Sequence, residues 1–395
     1  MIQELLNKID AYKDEMIQIR RHLHQYPELS FEEYQTKKYI LDFYKDKDCE
    51  INENVGTTGI VVKIKGKNPG PTVALRADFD AIPVQEETDL PFKSKNEGIS
   101  HACGHDGHTA YLMILAKALI ELKDNINGNI VIIHQHAEEK PPGGALEMIE
   151  AGCLEGVDNF FSLHLISTMP YSKVFFNEKE TQAARATFKV KLTGKGSHGS
   201  EPHNGNDAIL AASHLLVALQ SIVSRRVKPG EMAVVTVGNF DGKGSPNVIK
   251  EKVLLEGDVR CMKDEVASLI EKEFKQIASG IANTFNVGLD LQYTQDYPVL
   301  YNDPEMTKLA MQGVKDIQKY APEIKEVTNT PPLSASEDAS QYLKIVPGSY
   351  FYVGASQVDK ETYPHHNPKF DLNENSLVIA AKAMVGVLAK YYNWN

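Results

Sequence analysis

The 395-residue chain has no run of about 18 uninterrupted apolar positions and no block of one charge sign. The first absence argues against a membrane-spanning segment. The second, with 42 Lys plus Arg against 53 Asp plus Glu and a net charge of -11, argues against nucleic acid or an anionic membrane as a partner. Cysteine is sparse: Cys49, Cys103, Cys153 and Cys261 are scattered, unlike the dense spacing of a disulfide-stapled secreted domain. The opening "MIQELLNKIDAYKDEMIQIRRHLHQYPELS" interrupts its apolar residues with charges every few positions, unlike a secretory leader, so the expectation is a cytoplasmic protein. Repeats and low-complexity tracts are also missing. What is present is a globular composition, 42% apolar and 24% charged, in a chain long enough for two domains.

Leu5, Ile9, Tyr12, Met16, Ile19 and Leu23 recur at steps of four and three, which predicts one amphipathic helix. Apolar runs at 59–66, 72–78, 129–139 and 159–165 read as strands, and 109–124 reads as a helix. Strands interleaved with helices predict an α/β fold with a mixed central sheet flanked by helices. Between 184 and 296 the order changes to β-α-β-β-α-β, the ferredoxin-like arrangement, which predicts an inserted α+β lid or dimerisation domain. The catalytic domain is then 1–183 and 297–395. The segment 325–340, "KEVTNTPPLSASEDAS", is the most loop-like.

"SHACGHDGHT" (100–109) packs metal-grade side chains into one short stretch. Cys103 and His105 are two apart, so on extended chain they share a side. Glu138 and Glu139 follow a strongly apolar strand, where open α/β sheets bind ligands, and adjacent residues there point differently. One can ligate while its neighbour moves protons. His164 ends another apolar strand, and His365 and His366 precede Asn367 and Pro368. Each of these alone reads equally well as a structural histidine or a solvated charge. Together, at strand ends that one sheet would gather, they suit two divalent ions with a bridging water. Asp78 and Asp80, just after a strand, are placed to accept the second N–H of a histidine ligand, Asp78 being the residue favoured for that task.

The stretches "RRHLHQYPELSFEE" (20–33), "LRADFDAIPV" (75–84), "HACGHDGHT" (101–109), "AEE" with "PPGGALEMIEAG" (137–152), "GKGSHGSEPHNGNDA" (194–208) and "HNPKFD" (366–371) together resemble the metal-dependent amidohydrolases that include hippurate hydrolase, N-acyl-amino-acid hydrolases and indole-acetyl-amino-acid hydrolases. The resemblance implies two divalent metals, zinc, manganese or cobalt, held by Cys103, His105, Glu139, His164 and His366, with His366 rather than His365 as the last ligand. It implies Glu138 as general base, Asp78 behind the metals, and His198 as a lid histidine that approaches the scissile carbonyl. It also implies Asn247 and Arg260 as holders of the substrate carboxylate, a task that suits a planar, permanently charged guanidinium. A homodimer or higher homo-oligomer is implied as well. The chain departs from the family's pattern at His136, where many relatives have proline, at "LHLIST", and in "SASEDASQY", which lacks an aromatic residue after S-E-D. These changes fall around the pocket and leave every ligand position filled.

The expected reaction is hydrolysis of an N-acyl amino acid or a short peptide. A dipeptidase, carboxypeptidase or N-acetyl-diaminopimelate-type deacetylase would use the same site. Two readings compete: a thiol hydrolase with Cys103 as nucleophile, and a catalytically inactive, metal-supported binding protein.

Overall fold

The computed structural model describes residues 1–394. They divide into two compact units: Met1–Lys179 with Tyr301–Pro331 and the stretch from Asp338 onward, and Glu180–Leu300 with Pro332–Glu337. The last segment belongs to the smaller unit because Leu333 donates its N–H to the carbonyl of Thr181 at 2.9 Å and Ala183 donates to that of Ala335 at 2.8 Å. A return of this kind, with Gln182 and Leu333 bridged in parallel, leaves no trace in the pattern of apolar residues.

The larger unit is built on an eight-stranded mixed sheet. Three of its strands are β1 (Asn68–Asp78), β2 (Asn127–Gln135) and β3 (Asn159–Ile166). Across the sheet the order is Glu50–Val55, Gly59–Lys65, β2, β1, β3, Gly348–Gly354, Lys173–Phe176, Glu326–Asn329. From β2 to Gly348–Gly354 neighbours run parallel. These strands are apolar on both faces, as parallel strands covered by helices on either side must be; "NFFSLHLI" is buried along nearly its whole length. Strand Glu326–Asn329, parallel to Lys173–Phe176, lies inside the segment expected to be loop. At the other edge the mostly polar Glu50–Val55, exposed except at Val55, gives only a weak apolar signal.

Helix α1 (His105–Glu121) is almost wholly buried, and it begins four residues before the sequence predicts. Gly104, at φ 94°, turns the chain into the helix, a conformation that glycine adopts without steric cost. His105 thereby becomes the first helical residue. The amphipathic N-terminal stretch is not one helix but two, Ile2–Ala11 and Lys13–Gln25. Tyr12 interrupts them, its hydroxyl 2.9 Å from Glu121 and its ring under the Lys117 ammonium, so both halves keep their apolar stripes on the core.

In the smaller unit, β4 (Ala184–Thr193), β5 (Ala233–Asp241), β6 (Lys252–Cys261) and β7 (Gly288–Tyr297) alternate with α2 (Ala208–Ser221) and α3 (Asp264–Phe285). The order β5-β6-β4-β7, antiparallel throughout, is the ferredoxin-like topology. Phe188, Leu192, Leu215, Leu219, Ile270 and Phe274 fill its core. By length and composition Ala208–Arg226 is apolar enough to cross a membrane. Its apolar excess divides in two: Ala211, Ala212, Leu215 and Leu219 are buried, while Ile209, Leu210 and Val217 stay exposed.

Candidate metal centre

Because β2, β1 and β3 run parallel side by side, their C-terminal ends open on one edge of the sheet, where ligands of open α/β sheets bind. Asp78 ends β1, and His164 lies near the end of β3. β2 stops at Gln135 rather than continuing to Glu139 as the sequence predicts. Ala137, a residue with a Cβ at φ 51°, turns the chain so that Glu138 and Glu139 leave the sheet. The carbonyl of Ala102 accepts the N–H of His366 at 2.8 Å, fastening the last histidine pair to the Cys103 loop.

The hydrogen bonds decide which histidine nitrogens remain able to take a ligand. His105 Nδ1 donates to Asp80, 3.0 Å from its carbonyl and 3.2 Å from its carboxylate, while the buried Nε2 has no hydrogen-bond partner among the described residues. That Nε2 lies 3.8 Å from Asp78, 3.9 Å from Glu139 and 4.0 Å from Glu138. Ligand atoms about 2.0–2.3 Å from a shared tetrahedral ion are roughly 3.3–3.8 Å apart, so these separations, too long for hydrogen bonds, lie at and just beyond the upper end of the spacing around one cation. His164 Nδ1 donates to the carbonyl of Leu165, which leaves its Nε2 3.6 Å from Cys103 Sγ. His366 Nε2 lies 3.1 Å from Glu139 Oε1.

His108 and His365 also fall in clusters compact enough to hold an ion, but both of their ring nitrogens are committed. His108 donates from Nδ1 to Asp78 at 2.6 Å and accepts the Leu165 N–H at Nε2. His365 donates from Nδ1 to the carbonyl of Cys103 and accepts the Ser167 N–H at Nε2. They brace the ligand loops.

The electrostatics run the same way. Burial pushes the His105 imidazole toward neutrality, but Asp78, Asp80 and Glu139 outweigh it and raise it to about 10. A proton on Nε2 would be a buried donor without an acceptor in reach, whereas a cation would meet the same negative field with its ligands in place. Burial, reinforced by Glu139 and Glu138, holds the Cys103 thiol well above its usual range, so at neutral pH it is protonated without a cation beside it. That disfavours Cys103 as an activated nucleophile. Burial holds His164 well below the ordinary imidazole value, keeping its lone pair available.

The carboxylate behind His105 is Asp80. Asp78, favoured from sequence, instead accepts from Arg76 at 2.6 Å and from His108. Arg76 is itself buried mid-strand and pairs with Asp78, Gln135 and Asp338. The choice between the two aspartates, two positions apart, depends on how far β1 extends, which the pattern of apolar residues does not fix.

On the smaller unit His198 is exposed, its Nδ1 2.7 Å from Ser200 Oγ, in a two-residue ladder with Val248 that brings Asn247 beside it. Arg260, on β6, donates to Asp258 at 2.7 Å and to Ser336 at 2.8 Å.

Residues 74–390 match the profile of peptidase family M20/M25/M40. The chain is 39% identical over 373 residues to N-acetyl-L-cysteine deacetylase of Bacillus subtilis (strain 168), covering 94% of this chain and 87% of that protein. It is 37% identical over 398 residues to Thermostable carboxypeptidase 1 of Saccharolobus solfataricus, covering 100% and 99%. Among solved structures, the YXEP protein of Bacillus subtilis, described as a dinuclear metal binding peptidase from M20 family, superposes with a TM-score of 0.82 at 29% identity over 98% of this chain and 100% of that one. The matched span contains every donor described above, and the chain belongs to peptidase family M20/M25/M40, a family of hydrolases acting on amides.

Proposed function

We propose that the protein hydrolyses the amide bond of N-acyl amino acids at a centre of two divalent ions held by Cys103, His105, Glu139, His164 and His366. The observation that carries this reading is His105 Nε2, buried, without a hydrogen-bond partner among the described residues and ringed by three carboxylates at 3.8–4.0 Å. When bound, such ions lower the pKa of a water between them toward about 7 and polarise the amide oxygen. A thiolate among the donors favours zinc or cobalt, although imidazole and carboxylate also accept manganese.

Glu138, buried, with Oε2 4.0 Å from His105 Nε2, takes the proton from the attacking water and delivers it to the departing nitrogen. Amide nitrogen leaves poorly unless protonated, so one carboxylate of the pair must ligate and the other carry protons. Asp80 fixes the His105 tautomer. Arg260, its orientation set by Asp258 and Ser336, and Asn247 hold the substrate carboxylate, and His198 donates to the developing oxyanion. Exposed Ile209, Leu210 and Val217 on α2, with exposed Val234 and Phe240 on edge strand β5, support a homodimer through this unit.

Acetyl-, benzoyl- and indole-acetyl-amino acids, assayed with zinc, manganese or cobalt, test the reaction and locate the acyl preference. Relatives named as a carboxypeptidase and a deacetylase make short peptides and N-acetylated amino acids part of the panel. A chelator should abolish turnover, and Glu138→Gln should lower kcat by about 100-fold or more with metal content unchanged. No hydrolysis with any ion would leave an inactive binding protein as the better account.

A further inference from the structure

Glu33 lies outside the donor set, at the end of the loop 27–33, and is fully buried. Its carboxylate accepts two hydrogen bonds: the backbone N–H of Ala137 at 2.9 Å and the hydroxyl of Thr58, itself fully buried, at 2.7 Å. Ala137 is the residue at φ 51° whose turn carries Glu138 and Glu139 away from β2. A left-handed backbone at a residue with a Cβ persists only where its surroundings impose it. Here the N–H of Ala137 is held by Glu33 and its carbonyl by the N–H of Gly144 at 3.0 Å. Without the carboxylate, that N–H would be a buried donor with no partner.

The same loop reaches the other glutamate by a separate route. Ser30 donates to Asp80 at 2.7 Å, and the same Asp80 oxygen accepts the N–H of Glu139 at 3.0 Å. The two glutamates are therefore anchored independently, Glu139 through Asp80 and the Glu138 side of the turn through Glu33.

We propose that Glu33 is a positioning residue for Glu138: its carboxylate, placed by the length of its side chain, holds the Ala137 turn that aims the proton-transferring carboxylate. This rests on the function proposed above. What the turn requires is an acceptor at the right distance; the negative charge is incidental. A glutamine satisfies it, its carbonyl oxygen accepting from Ala137 and its amide donating to the Thr58 hydroxyl. An aspartate keeps the charge but withdraws the acceptor by about one bond length.

The test compares Glu33→Gln and Glu33→Asp on a substrate the wild type hydrolyses, reading kcat, KM and bound metal per chain, with Glu138→Gln as control. Glu33→Gln should stay within about threefold of wild type. Glu33→Asp should lose about 10- to 100-fold in kcat, the scale of a misplacement near 1 Å, with KM and metal content within about threefold. Loss in KM or metal content instead of kcat, equal activity of the two variants, or the reverse order would overturn the assignment. Should Glu33→Asp not fold, Glu33→Gln still decides, because a tenfold fall in its kcat contradicts the role of a neutral acceptor. A wild type without activity, or an active Glu138→Gln, would sink the proposed reaction instead, and so the two failures are distinguishable.

Discussion

Replacing Asp80 by asparagine changes one heavy atom and, if His105 ligates as in the function proposed above, should disarm that ligand without touching it. Asp80 does two jobs with its two oxygens. Oδ1 faces the His105 Nδ1–H at 3.2 Å; Oδ2 accepts from Ser30 Oγ at 2.7 Å and from the Glu139 N–H at 3.0 Å. An asparagine has only one acceptor to divide between them. Two donors hold it on the Ser30 and Glu139 side, so the amide NH2 turns toward His105 Nδ1, donor against donor. The ring escapes by moving its proton to Nε2, which removes the lone pair the ion needs. The carbonyl of Asp80, 3.0 Å from Nδ1, opposes that shift and preserves part of the ligand-competent tautomer. Second-sphere substitutions cost about 10- to 100-fold in metal affinity, and with a lost negative charge added to a disfavoured tautomer the upper end is expected, roughly 2.7 kcal/mol. Competition against a chromophoric chelator measures it directly, and activity should return when the metal is raised about 100-fold. An Asp80→Asn protein that binds its ions within threefold of wild type would show that the hydrogen bond to His105 does not set its tautomer.

The buried Arg20 guanidinium binds Asp106, Asp371 and Glu374. Arg20→Met should destabilise by about 3 kcal/mol in a denaturant titration, the low end for breaking a buried pair, because Asp106 keeps His24, Asp371 keeps Lys360 and Glu374 keeps Arg21. A loss below about 1 kcal/mol would mean the network contributes little. His24 has a distinct pH signature: burial opposes its charge, but Asp106 and Glu86 prevail and raise it to about 9. A raised imidazole stabilises fully below its unfolded value near 6.5 and progressively less as pH rises through 9, so wild type should lose on the order of 3 kcal/mol across that window and His24→Gln should not. Melting curves at pH 6 and pH 9.5 compare the two.

What the sequence made legible follows from which information is local. Parallel strands buried on both faces appear as apolar runs, and the strand-end location of Glu138, Glu139 and His164 follows from them. Alternation of 3.6 and 2 residues also exposes the β-α-β-β-α-β order of the smaller unit. The edge strand Glu50–Val55 stays hidden because an exposed strand has no burial to write into its pattern. The divisions of labour within the site are hidden for another reason. His105 is legible from its spacing to Cys103, but the choice between Asp78 and Asp80, two positions apart, depends on where β1 ends, and only the folded chain shows that both nitrogens of His108 are committed while one of His105 stays open. Glu33 is the extreme case. Its partner, the N–H of Ala137, is a backbone atom 104 positions away that every residue but proline offers, so only the folded chain says which donor needs an acceptor there. Side chains that bind metal advertise themselves by type, whereas those that aim them are recognisable only by the backbone groups they satisfy.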